Sequence, residues 1–265
     1  MIPEIWRIGQ HCALLSMVKQ DMLGELLEGS LGPNYQAAYD RGVLTFASDR
    51  GRVYCDTSPV ASIAVDPATL LWRWSPMIEG EEEYFRPEAS HGYRAFGEQC
   101  NFSSFTTQEV PYEVVDDVAN TIANLGNDVI NTGFVIFGPE ANFYQAAFNN
   151  AGSRVVWKLD NIRDDAGPLT VPSPDLNTLL TKIPRYLPLV DDPAWSLEGV
   201  ASHFKGVECA IARFPSDRRI VATYTLSDGA QHEVQVTQDE QGRITNIQLA
   251  FNNHLDSMSN EQRGE

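Results

Sequence analysis

The sequence predicts an α+β protein: an N-terminal helix packed on a mostly antiparallel sheet with two further helices, then a smaller helix-and-antiparallel-sheet module. Three observations support this. Apolar residues recur at steps of three and four from Ile5 to Leu26, short β-rich runs are separated by turn signals, and a Pro-rich break lies between Asp164 and Asp175. The boundaries that follow are an α+β domain over 1–165, a linker over 166–175, a small α+β module over 176–256 and a tail over 257–265.

In the first helix Ile5, Ile8, Cys12, Leu15, Val18, Met22 and Leu26 form one apolar stripe, which Gly29 and Gly32-Pro33 close. Val43–Phe46, the turn Asp49-Arg50-Gly51 and Arg52–Thr57 read as a hairpin. A third strand is expected at Thr69–Trp74. There Leu70, Trp72 and Trp74 share a face by the two-residue period. Two helices follow, about Pro87–Cys100 and Glu113–Val129, the second with Val114, Val118, Ile122, Leu125 and Val129 as its buried stripe.

Strands are expected at Phe134–Phe137, Asn142–Phe148 and Arg154–Leu159. Beyond the Pro-rich break come helices at Leu176–Ile183 and Leu197–Phe204. Four strands close the chain, at Glu208–Phe214, Ile220–Leu226, His232–Thr237 and Ile244–Phe251. Ser227-Asp228-Gly229 and Asp239–Gly242 supply their hairpin turns.

The 265 residues hold 19 basic and 36 acidic side chains, a net charge of −17, with 43% hydrophobic residues. That apolar content builds a core, so the charge is not that of a disordered acidic tail. Strong negative charge opposes nucleic acid and anionic membranes, and points to basic protein partners. No run reaches the roughly 18 apolar residues of a membrane span. An acid near the N-terminus and the lack of an apolar h-region oppose a secretory signal, and four dispersed cysteines without a CxxC pair suit a reduced cytoplasm.

Residues 79–128 carry eleven acids against Arg86 and Arg94, a net −9 concentrated in one segment. Glu79, Glu81, Glu82, Glu83, Asp116 and Asp117 are its candidate binding residues, as a surface that docks a basic partner or as a solvated face that favours solubility. Trp72 and Trp74 join them as a possible groove wall, or else as core covered by the first helix.

Catalytic and cofactor signatures are missing. There is no P-loop, no G-x-G-x-x-G after a strand, no G-x-S-x-G, no H-E-x-x-H and no histidine pair at metal-ligand spacing, so no cofactor or metal is expected. One row of groups suits acid–base work. His91, Arg94 and Glu98 fall at steps of three and four, and they serve either a pocket beside the tryptophan strand or an ordinary exposed helix face.

The first 160 or so residues resemble an uncharacterised bacterial family, the DUF6882 proteins. The resemblance rests on Lys19-Gln20-Asp21, on Tyr39-Asp40 followed by Gly42–Phe46, on Trp72-Arg73-Trp74, and on Phe96-Gly97-Glu98. It implies an architecture and no chemistry, and the C-terminal module lies outside it.

Overall fold

The computed structural model describes residues 1–74, 83–114, 117–148 and 151–252, and divides into two compact units. The first comprises Met1–Gly9 and Ser16–Ser173. The second comprises Gln10–Leu15, a stretch within the first helix, and the chain from Pro174 onward. The architecture is α+β, with a large antiparallel sheet in the first unit and a separate four-stranded antiparallel sheet in the second. Among the described residues no helix is long and apolar enough to cross a membrane.

In the first unit α1 (Pro3–Leu31) starts on a proline, whose missing N–H costs nothing in a first turn. It ends at Gly32, whose φ of 75° a side chain would strain. Strands β1 (Gln36–Asp40) and β2 (Val43–Ser48) form a hairpin, and Arg41 and Gly42 at its tip both have positive φ. Strand β3 (Gly51–Ala64) is the hub of the sheet, pairing with β2, β4 (Thr69–Trp72) and β7 (Arg154–Asp164). Its fourteen residues exceed the expected strand because Pro59 sits at a register shift against β7, where the ladder tolerates a missing N–H. Strands β5 (Glu109–Pro111) and β6 (Asn142–Ala147) extend the sheet through β4 and β7. Gly167–Pro168, within the stretch expected to be a linker, adds the two-residue β8 to β7.

One face of the sheet is covered by α1. Leu23, Leu27 and Leu31 pack with Leu44, Phe46, Val53, Cys55, Val155, Trp157 and Leu159. A second cluster gathers α2 (Glu88–Cys100), α3 (Ser103–Thr106) and α4 (Val118–Phe137) around Trp72, Tyr93, Phe105, Phe134 and Phe143. Small residues let these elements approach. A Cβ on Gly97 would lie 2.4 Å from that of Phe105, and one on Gly133 would lie 2.4 Å from the Phe143 ring.

The expected strand at Phe134–Phe137 is instead the last turn of α4. Phe134 continues the buried stripe of Ile122, Leu125, Val129 and Ile130, and Gly138, at φ 78°, ends the helix. β-Branched residues raise strand propensity, but the sixteen helical residues from Val118 to Gly133 already under way override it. The start also differs. Asp117 is the N-cap, its carboxylate accepting from Asn120 N at 2.8 Å, so Glu113 and Val114 precede the helix, and Val114 and Val118 are exposed.

In the second unit α5 (Leu176–Tyr186) and α6 (Pro193–Ala201) start at Asp175 and Asp192, each accepting a backbone N–H with its carboxylate. The cap at Asp192 sets the second helix four residues earlier than expected. The sheet runs in the order β12 (Ile244–Asn252), β11 (Gln231–Gln238), β10 (Arg219–Thr225), β9 (Glu208–Phe214). Its buried face presents Ile220, Ala222, Tyr224, Val234 and Val236. Helix α6 lies tight on Gln10–Leu15, since Ser196 Oγ donates to Gln10 O at 2.7 Å and a Cβ on Gly199 would meet His11 O at 1.7 Å.

Candidate functional site

The two tryptophans part company because β4 stops at Trp72. Trp72 is wholly buried, its Nε1–H donating to Ser104 O at 2.7 Å and its ring packed on Tyr93 and Phe105. It is core and not a groove wall, and its cover comes from α2 and α3 rather than α1. Trp74 lies beyond the strand, so the two-residue period no longer applies. The Arg94 guanidinium sits 5.0 Å from its ring centre, and His91 Nε2 lies 3.1 Å from its carbonyl oxygen. Arg94 Nε also donates to Glu98 at 3.0 Å, with both side chains about half exposed. His91, Arg94 and Glu98 therefore form an outward-facing row braced on Trp74, and the ion pair itself is of the weak surface kind.

Of the acidic candidates, Glu83 and Asp117 are exposed, the latter occupied as the α4 cap. Glu79, Glu81, Glu82 and Asp116 lie outside the described residues. The other acids of this segment, Glu88, Glu98, Glu109 and Glu113, are also exposed, whereas Asp128 is buried.

A cleft of about 370 Å³ lies elsewhere in the first unit, lined by residues of β3 and β7, by Arg86 and the start of α2, and by Phe137. A neighbouring hollow of about 530 Å³ shares Phe137, Lys158, Asp160 and Asn161 with it. A break in the β3–β7 register between Tyr54 and Asp56 shapes this wall, and there Asn161 takes φ 48°. A bulge of this kind turns a side chain out of the regular alternation. Asn161 Nδ2 donates to Asp56 at 2.9 Å, and Arg163 Nη1 donates to the other Asp56 oxygen at 2.8 Å and to Asn161 O at 2.9 Å. Burial pushes the Asp56 carboxyl up, but these bonds and the charges of Arg163 and Arg86 outweigh it and hold it below the usual range. Lys158 pairs with Asp160. The sequence carried one signal for this site: Asp160-Asn161 interrupts a run of strand formers, and asparagine is the non-glycine residue that best tolerates a left-handed backbone.

The second unit holds a thiol–imidazole contact, Cys12 Sγ to His203 Nε2 at 3.0 Å, beside His11, whose ring centre lies 4.4 Å from that of Trp195 with the planes tilted by 45°. Burial pushes the Cys12 thiol up. The His203 imidazole is pushed down to about 4, first by burial and then by His11. Both partners are therefore neutral at pH 7, the opposite of the thiolate–imidazolium pair that nucleophilic cysteines need. Among the described residues no group of three or more His, Cys, Asp and Glu side chains could hold a metal ion.

The short motifs noted in the sequence have structural employment. Lys19 is buried and donates to Pro172 O at 3.1 Å, burial lowering its ammonium pKa against the raising charge of Glu140. Gln20 Nε2 donates to Phe143 O at 3.0 Å, and Phe96 packs on Phe102 and Phe105. No curated protein and no solved structure matches the chain. A family model does match, over residues 6–161, more than half of the chain and almost all of the first unit. The chain thus belongs to DUF6882, a family of unknown function.

Proposed function

We propose that this protein is a non-enzymatic, cytoplasmic interaction module whose acidic face docks a basic protein partner. The observation that carries the reading is that Glu83, Glu109 and Glu113 are exposed and have no ion pair among the described residues. Carboxylates meant only to complement helix dipoles would cluster in first turns, and Glu109 and Glu113 lie outside helices. Their charge is available to an outside partner and repels nucleic acid.

The test is affinity capture by the full chain from an extract of its own cells at low salt, with the eluate identified. A basic protein is expected, released between low and physiological salt as screening sets in. The double variant Glu109→Lys, Glu113→Lys should lose it while unfolding at an unchanged temperature. A complex indifferent to both salt and these reversals would refute the assignment.

A further inference from the structure

Helix α2 opens without a side-chain cap, because its N-cap is Pro87, which offers no oxygen beyond its carbonyl. His91 N–H bonds to Pro87 O, which leaves the N–H groups of Glu88, Ala89 and Ser90 as the free donors of the first turn. Ala89 is 2% exposed and Ser90 0%. Neither N–H has a partner among the described residues, and buried N–H groups left without a partner are rare.

This end of α2 forms part of the cleft. Ser58, on β3, is an independent sign of a ligand there: it is only 8% exposed, it lines the cleft, and its hydroxyl has no hydrogen-bond partner among the described residues. Arg86, also in the lining, spends one N–H on Phe85 O and keeps the rest of its fork available. Unused donors of three kinds therefore converge, which is the chemistry of a carboxylate site. Of the remaining charges, Asp56 is taken by Arg163 and Asn161, and Lys158 by Asp160. Glu88 is the lining acid without a partner among the described residues.

We propose that the cleft binds a small zwitterion of the amino-acid class. Its carboxylate is received by Ala89 N–H, the Ser58 hydroxyl and Arg86, and its ammonium group by Glu88 with Asp160 alongside. A neutral ligand fits better than a dianion. Asp56 and Asp160 share the lining, and the chain as a whole carries −17, so a phosphate dianion would be repelled where a zwitterion is not. The volume of about 370 Å³ falls in the range of small-molecule sites.

The experiment is a titration of the isotopically labelled full chain with each proteinogenic amino acid, with acetate and with inorganic phosphate, read at the Ala89 and Ser90 amide resonances. At least one amino acid should shift both saturably. Arg86→Gln should weaken that binding about tenfold or more, the loss of a charged hydrogen-bond donor. Ser58→Ala should weaken it in the same direction without a change of charge. Glu88→Gln should weaken the amino acid about tenfold and leave acetate binding undiminished or tighter. Three results would overturn the proposal: no saturable shift at these two amides, affinity for phosphate above that for every amino acid, or an amino acid that binds no better than acetate and is indifferent to Glu88→Gln.

Discussion

Cys12 and His203, 191 positions apart in the chain, meet with sulfur and Nε2 3.0 Å apart, yet both are held neutral by their surroundings. Thiol reagents should therefore ignore Cys12 at neutral pH. Cys55 is also buried, its thiol pushed up to about 12, first by burial, and Cys209 is raised to about 11 by burial and Glu198. Cys100 is free and exposed, so a single fast-reacting thiol is expected, and Cys100→Ser should abolish it. Prompt labelling of Cys12 in the native protein would contradict the burial described.

The same pair makes stability depend on pH. His203 is ordinary in the unfolded chain and lowered to about 4 in the fold, so between those values the unfolded state binds more protons. Its contribution is complete above about pH 6.5 and is lost as pH falls towards 4. The full shift amounts to roughly 3 kcal/mol as an upper bound. His11, also lowered by burial against the charge of Glu198, acts in the same direction. Urea unfolding at several pH values should show a steeper acid loss for the native protein than for His203→Gln.

Trp72 and Trp74 should respond differently to phenylalanine. Trp72→Phe removes the donor from Ser104 O and leaves a void in a fully buried aromatic cluster, at a cost of about 2–4 kcal/mol. The Nε1 of Trp74 is buried without a hydrogen-bond partner among the described residues, so Trp74→Phe forfeits no bond and should cost less than about 1 kcal/mol. Denaturant midpoints of the two variants decide this, and equal losses would mean that the core assignment of Trp72 is mistaken.

Two helical glycines offer a matched pair. Gly97→Ala drives a methyl group into Phe105, and the clash should cost about 1–3 kcal/mol. Gly24, inside α1, has no atom within 4 Å of a built Cβ, so Gly24→Ala should stabilise by about 0.5–1 kcal/mol. Thermal unfolding of both variants would show shifts of opposite sign.

Asn161 holds a left-handed backbone and a bond to Asp56 together. Asn161→Ala loses the bond and strains the backbone, at about 1–2 kcal/mol, whereas Asn161→Gly loses the bond alone. Glycine should therefore be the milder substitution, as measured by urea unfolding. The reverse order would show that the positive φ at this position is not retained in solution.

The sequence by itself determined the α+β class, the long first helix, the hairpins of the C-terminal sheet and the concentration of charge between Glu79 and Asp128. These are local matters, set by hydrophobic period, turn residues and composition, and a single chain displays them directly. Phe134–Phe137 marks the edge of that legibility, because a short apolar run suits strand and helix alike until the preceding turns decide it. Only the tertiary structure decided what covers Trp72, that Ser58 and Asp56 on β3 face Arg86, Glu88 and Asn161 across one cleft, and that Cys12 meets His203. Such meetings depend on which strand lies beside β3 and where its register breaks, and those choices are made by packing among residues a hundred positions apart.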